Sequence, residues 1–286
     1  MRHPIVVALG GGHGLAVTLQ AARRYAGALT AVVSVADDGG SSGRLRQALG
    51  IPAPGDARKC LTALAADGSP LAAAFEHRFS TGELAGHALG NLLIAGLAEV
   101  MGDFTAALDE AGRLLGTEGR VLPATAVPVT LRAEADGAPV AGQAAVATAR
   151  RVTRVEVLPA NAEPPPAALD AIAAADQVVL GPGSLFTSVL AVVAVPALAR
   201  AIRTTPAPKI YVCNLRPSPE TTGFTVADHV AALAAHGCAP DLVLCDPAAI
   251  EVGEVGTNCV LGPLADITGT AHDPVRLAAA LADLIG

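Results

Sequence analysis

The stretch Ile5-Val6-Val7-Ala8-Leu9-Gly10-Gly11-Gly12-His13-Gly14 decides the fold. A continuous apolar run of this length, closed by glycines, reads as a strand buried on both faces that turns sharply at its end. Residues 15–25 then carry apolar side chains at helical spacing. The first unit is therefore strand, glycine loop, helix. A second apolar strand is expected over residues 30–35. Such strands, separated by helices, are the pattern of a parallel sheet covered on both faces.

Outward from this unit, residues 56–66 and 104–115 read as helices, and residues 82–100 contain a longer helical pattern over 89–97. After the rigid connection Glu163-Pro164-Pro165-Pro166, residues 167–175 read as a helix and 177–180 as a strand. Strands follow over 209–213 and 242–245, with a helix over 226–235 between them. Between residues 127 and 158 the period changes from helical to alternating, and Asp136-Gly137 is a hairpin signal. The expected fold class is α/β: a Rossmann-like three-layer fold with a mainly parallel sheet and a small antiparallel β excursion at about residues 127–158. The proline-rich connector is too short to mark a boundary, so residues 1–286 read as one domain.

The chain has 286 residues, 52% of them hydrophobic but only 2% aromatic, with no Trp, so small aliphatic side chains must build the core. Lys and Arg total 19 against 26 acidic residues, and no basic run tracks a phosphate backbone, which argues against nucleic acid as a partner. The N-terminal apolar run is too short for a signal-peptide core. The longest later one, residues 188–201, is broken by Pro196, so no membrane span and a cytoplasmic location are expected. Five scattered cysteines (Cys60, Cys213, Cys238, Cys245, Cys259) form no C-x-x-C pair and read as reduced structural residues.

Three glycine-rich turns carry the chemistry. Gly10 to Gly14 lies between strand and helix, where backbone N–H groups and the helix dipole favour a phosphate; the alternative is a tight turn needing positive φ. It is neither a dinucleotide fingerprint, because Leu15 or Val17 falls where the last glycine belongs, nor a P-loop, because no Lys follows. Gly181-Pro182-Gly183-Ser184 repeats the arrangement after another strand, with Ser184 placed to cap the next helix or to bind an anion. The third turn is Val35-Ala36-Asp37-Asp38-Gly39-Gly40-Ser41-Ser42-Gly43-Arg44-Leu45-Arg46. Its carboxylates suit sugar hydroxyls or a hydrated Mg²⁺, and its glycines and arginine suit phosphate; the alternative is a solvated turn. Asn91 lies in an apolar helix and must find hydrogen bonds, Asn214 stands past a strand end, and Arg58, His87 and His229 have equally good structural readings.

With these motifs, joined by Pro54-Gly55-Asp56, Gly86-His87-Ala88-Leu89-Gly90-Asn91-Leu92, Gly119-Arg120-Val121-Leu122-Pro123-Ala124-Thr125, Tyr211-Val212-Cys213-Asn214 and Asp228-His229, the chain resembles the gluconeogenesis factor / 2-phospho-L-lactate transferase family (YvcK/CofD-like) along nearly its whole length. It is most similar to the gluconeogenesis-factor branch. That branch implies a regulatory protein that binds UDP-N-acetylglucosamine or UDP-glucose and links carbon metabolism to cell-wall synthesis and cell shape. It implies no required cofactor and no turnover. The transferase branch implies Mg²⁺-dependent transfer of a phospholactyl-type group to a deazaflavin, with Asp37 and Asp38 as the metal ligands. The ligand-binding residues expected are Gly11, Gly12, His13, Gly14, Asp37, Asp38, Ser41, Ser42, Arg44, Asn91, Gly181, Gly183, Ser184 and Asn214. His13 departs from the threonine usual in the family loop. No catalytic residue can be assigned, and a protein partner and a homo-oligomer both stay open.

Overall fold

The computed structural model describes residues 3–285. Ten strands and twelve α-helices follow one another, beginning with β1 (Ile5–Gly10), α1 (Gly12–Ala22), β2 (Ala28–Val33), α2 (Gly40–Leu49), α3 (Gly55–Leu64) and α4 (Pro70–Glu76). Next come α5 (Leu89–Met101), α6 (Phe104–Leu115), β3 (Arg120–Pro123), β4 (Thr130–Ala135), β5 (Ala138–Ala141), α7 (Gln143–Thr148) and β6 (Val152–Leu158). The second half holds α8 (Pro166–Ala174), β7 (Gln177–Leu180), a π-turn Leu185–Val189 running into α9 (Leu190–Val193), α10 (Pro196–Thr204) and β8 (Lys209–Val212). It closes with α11 (Val226–Ala235), β9 (Leu242–Cys245), β10 (Asn258–Leu261) and α12 (Pro274–Ala282).

Seven strands form one all-parallel sheet in the order β10-β9-β8-β7-β1-β2-β3. Val6 to Leu9 of β1 are fully buried, as a central strand covered on both faces requires. The chain winds from β1 through β2 to β3 in one direction and from β7 through β8 and β9 to β10 in the other. Right-handed crossovers then place their helices on opposite faces. On one side α1 packs on α3 and α12; on the other α10 packs on α8 and α9. The expected mainly parallel, helix-covered sheet is what forms.

The excursion is a three-stranded antiparallel sheet, β5-β4-β6, with Leu131, Ala133, Val155 and Val157 buried in strict alternation. It lies over the Leu185–Val193 helix, reaching it through β6 and α7. The apolar region 188–201 is bent by 80° between Leu185–Val193 and Pro196–Thr204, since Pro196 cannot continue the first helix. Among the described residues no single helix is long and apolar enough to cross a membrane.

Several element bounds differ from the sequence reading. The helical pattern over 89–97 forms α5 and runs on to Met101, while residues 77–88 before it form a looped segment with Gly82 and Gly86 at positive φ. α2, β3 and β10 escape pattern reading: α2 opens on glycines and serines, and the two edge strands have only four residues each.

Candidate functional site

β1 has β7 on one side and β2 on the other, so the strand order reverses between β1 and β7. In open α/β sheets ligands bind outside the carboxyl ends of the strands at such a reversal. The turns after β1 and β7 therefore face each other at the switch point. Gly12, at φ 63°, lets the chain enter α1 directly from the strand. The N-cap of α1 is Gly11, with no side chain to accept from the first N–H groups, and no acidic residue lies in the first turn. The N–H groups around Gly12, His13 and Gly14 are thus left for an anion. A Cβ on Gly14 would strike the Pro182 carbonyl, so glycine there is what allows the two turns to touch.

The β7 turn is built differently. Asn214, just past β8, accepts from Gly183 N and donates through Nδ2 to Gly183 O, both at 2.8 Å. Ser184 hydrogen-bonds Thr187 and donates to the Glu220 carboxylate, which also accepts from Phe186 N at 3.1 Å. Glu220 is 1% exposed, and burial raises its pKa while the hydrogen bonds from Ser184 and the backbone pull it down. The N-terminus of the Leu185–Val193 helix therefore already holds an acidic side chain of the protein itself. Nothing local in the sequence marks Glu220, which arrives from the loop after β8.

The turn after β2 divides in two. Asp37 accepts from Gly39 N at 3.0 Å, and its pKa is raised, first by burial and further by Asp56. Asp56, in the first turn of α3, pairs with Lys59 at 3.1 Å. A Cβ on Gly11 would lie 2.6 Å from Asp56 Oδ2 and 3.3 Å from Ser188 Oγ, so both side chains stand directly over the glycine loop after β1. Asp38 instead accepts from Ala144 N at 2.9 Å, at the start of α7. The two adjacent carboxylates are therefore not a pair; Asp37 is joined by Asp56. Among the described residues no group of three His, Cys, Asp or Glu side chains converges as a metal-ligand set. Asp37 and Asp56 supply two carboxylates, enough for a hydrated Mg²⁺ that also takes phosphate oxygens.

Ser42, buried on α2, lies against Gly55 and hydrogen-bonds Asp37. Ser41 accepts from Asn91 Nδ2 at 3.1 Å and contacts His87 Nδ1 at 3.0 Å. Burial, with Arg44 and Arg78, lowers the His87 pKa. The lowered value favours the neutral ring. Asn91 is 2% exposed and its Oδ1 has no partner. Arg44 donates to Ala85 O at 3.0 Å, tying α2 to the loop before α5. Arg58 is buried beside Glu76, 3.3 Å away. On α11, His229 Nδ1 hydrogen-bonds the Tyr211 OH of β8 at 2.7 Å, and burial brings its pKa down to about 4.

Two clefts open at the switch point, and His13 lines both. One, of about 430 Å³, runs between α1, α3 and α4 past Lys59, Thr62 and Glu76. The other, of about 300 Å³, lies between Gly14, Pro182, Gly183, Asn214 and His272. Of the expected residues, Gly11 to Gly14, Asp37, Gly181, Gly183, Ser184 and Asn214 gather at this point. Ser41, Ser42, Arg44 and Asn91 form a neighbouring network, and Asp38 turns away from it. Asp56, Lys59, Ser188, Glu220 and His272 do not stand out in the sequence as site residues, although Asp56 lies in the motif Pro54-Gly55-Asp56 and Ser188 ends the stretch that begins at Gly181.

A doubly wound α/β sheet with an uncapped helix N-terminus at its switch point defines a Rossmann-like protein with a strand-end binding cleft. The chain belongs to the CofD family, whose family model, described as 2-phospho-L-lactate transferase CofD, matches residues 6–261. A Mycobacterium tuberculosis relative, provisionally designated a gluconeogenesis factor, is 52% identical over 245 residues, covering 81% of this chain and 72% of that one. The gluconeogenesis factor of Bacillus subtilis is 44% identical over 241 residues, 82% of this chain and 76% of the relative. A crystal structure of a UPF0052-family protein from Bacillus halodurans superimposes with a TM-score of 0.93 at 36% identity, covering 99% of each chain. The resemblance to the gluconeogenesis-factor branch is borne out.

Proposed function

We propose that this is a regulatory protein of the gluconeogenesis-factor type that binds a UDP-sugar, UDP-N-acetylglucosamine or UDP-glucose, at the switch point and does not turn it over. The observation that carries the reading is the α1 N-terminus: a helix without a cap, entered through glycines, with clefts on both sides of His13. A diphosphate fits the free N–H groups, and Asp37 and Asp56 stand where hydroxyl groups would need acceptors. The hydroxyls that meet a base, Ser41 beside His87 and Ser184 beside Glu220, are held in the protein's own hydrogen-bond networks, which supports sensing over catalysis. In this reading the bound state is passed in the cytoplasm to a protein partner, linking carbon metabolism to cell-wall synthesis and cell shape. Titration calorimetry tests it: either UDP-sugar should give saturable heat. Silence with both at millimolar concentration, while GDP or NAD binds, overturns it.

One observation favours a second reading. The Asp37 and Asp56 carboxylates would hold Mg²⁺ beside a diphosphate, as a phospholactyl transferase of this family would need. The ion would there neutralise phosphate charge. Incubation with a guanosine diphospho phospholactyl donor, a deazaflavin and Mg²⁺, followed by chromatography, decides between the readings; product formation moves the protein to the transferase side.

A further inference from the structure

The cleft between α1, α3 and α4 begins at the uncapped α1 N-terminus and follows that helix, with His13, Ala16 and Gln20 along one wall. Its floor is built of alanines, among them Ala63, Ala72 and Ala73. Its polar groups are Gln20, Thr62, Lys59 and Glu76. The two charges nearest the ligand space are already matched: Lys59 pairs with Asp56, and Glu76 with the buried Arg58. Farther along, Asp67 is held by Arg23 at 2.7 Å. The cleft thus presents apolar methyl groups with hydrogen-bonding side chains and no uncompensated charge. No Phe, Tyr or Trp lines it, and its one imidazole, His13, is shared with the second cleft, which adds His272.

The cleft on the other side of His13 differs. Val17, Pro182 and Leu215 give it aliphatic walls, and it ends at His272, whose Nε2 contacts Cys213 O at 3.1 Å. Because His13 borders both, a ligand whose phosphates sit on the α1 N-terminus can send one end into each.

We propose that the alanine-lined cleft between α1, α3 and α4 takes the sugar end of the nucleotide sugar, and that the cleft between Val17, Pro182 and Leu215 takes the nucleoside. This assignment rests on the nucleotide-sugar reading above and adds a direction to it. A pyranose has C–H faces that pack on methyl groups and a rim of hydroxyls that are both donors and acceptors, and it carries no charge. Gln20, Thr62 and Glu76 match that rim.

The experiment compares UDP with UDP-N-acetylglucosamine by calorimetry on wild type, Ala73→Trp, Gln20→Leu and Val17→Trp. Ala73 and Gln20 are exposed, so their replacement fills or depolarises the cleft without disturbing the core. Ala73→Trp should weaken the sugar nucleotide by about tenfold or more and leave UDP unchanged within about twofold. Gln20→Leu should act in the same direction more weakly. Val17→Trp should weaken both ligands together. If Ala73→Trp lowers UDP as much as UDP-N-acetylglucosamine, or lowers neither, the assignment of the sugar to this cleft is wrong even though nucleotide binding stands. If wild type binds neither ligand, the nucleotide-sugar reading falls and the assignment with it.

Discussion

The Asp38 carboxylate accepts a hydrogen bond from the Ala144 N–H at 2.9 Å, at the start of α7, whereas Asp37 faces Asp56. Asp38 thereby caps α7, whose own N-cap is Gly142 at φ 98° with no side chain to offer. Removing a cap of this kind costs about 0.5–2 kcal/mol. Asp38→Ala should lower stability in urea unfolding by about that amount while calorimetry finds UDP-sugar affinity nearly unchanged. Asp37→Asn should do the reverse, losing about 1.5–3 kcal/mol of binding with little change in unfolding. Equal behaviour of the two variants would contradict their separation in space.

His13 offers a test with opposite signs in its two readouts. The first turn of α1 holds no acidic residue. A carboxylate there interacts favourably with the helix dipole, by about 0.3–1 kcal/mol. His13→Asp should therefore leave thermal stability equal or slightly raised. It should weaken any diphosphate ligand by about tenfold or more, since two anions would compete for the same N–H groups. Retained affinity in this variant would show that the phosphates sit elsewhere.

Glu220 predicts a pH effect. Its folded pKa is raised above the unfolded value, chiefly by burial. Its contribution to stability is fully present below the ordinary carboxylate range and is lost as pH rises through the folded value. In Glu220→Gln that loss should be absent, so wild type and variant should diverge as urea unfolding is repeated from acid toward neutral pH. Parallel curves would mean that Glu220 does not titrate differently in the two states.

His229 works in the opposite sense. Burial brings its pKa down to about 4, from an unfolded value of 6.5. Its contribution is complete above the unfolded value and is lost as pH falls from there toward the folded one, by about 3 kcal/mol in all. His229→Asn should start less stable at neutral pH, having lost the Tyr211 contact, but should show a smaller further fall over that acid range.

Much of this protein can be read from its chain alone. Apolar runs such as Ile5 to Leu9 and Gln177 to Leu180 admit only strands covered on both faces, and glycines that no side chain could replace mark where those strands end. These are local constraints of period and φ, so the parallel sheet, the antiparallel excursion and the position of the glycine loop after β1 follow from sequence. What folding alone decided is which polar groups meet. Asp37 and Asp38 are neighbours in the chain, but the turn after β2 sends one toward Asp56 and the other to Ala144. Ser184 reads as a helix cap or an anion ligand until Glu220 arrives from the loop after β8 to accept its hydrogen bond. A backbone turn is specified by the residues within it, whereas the partner of a buried carboxylate is set by strand order, which brings distant loops to one end of the sheet.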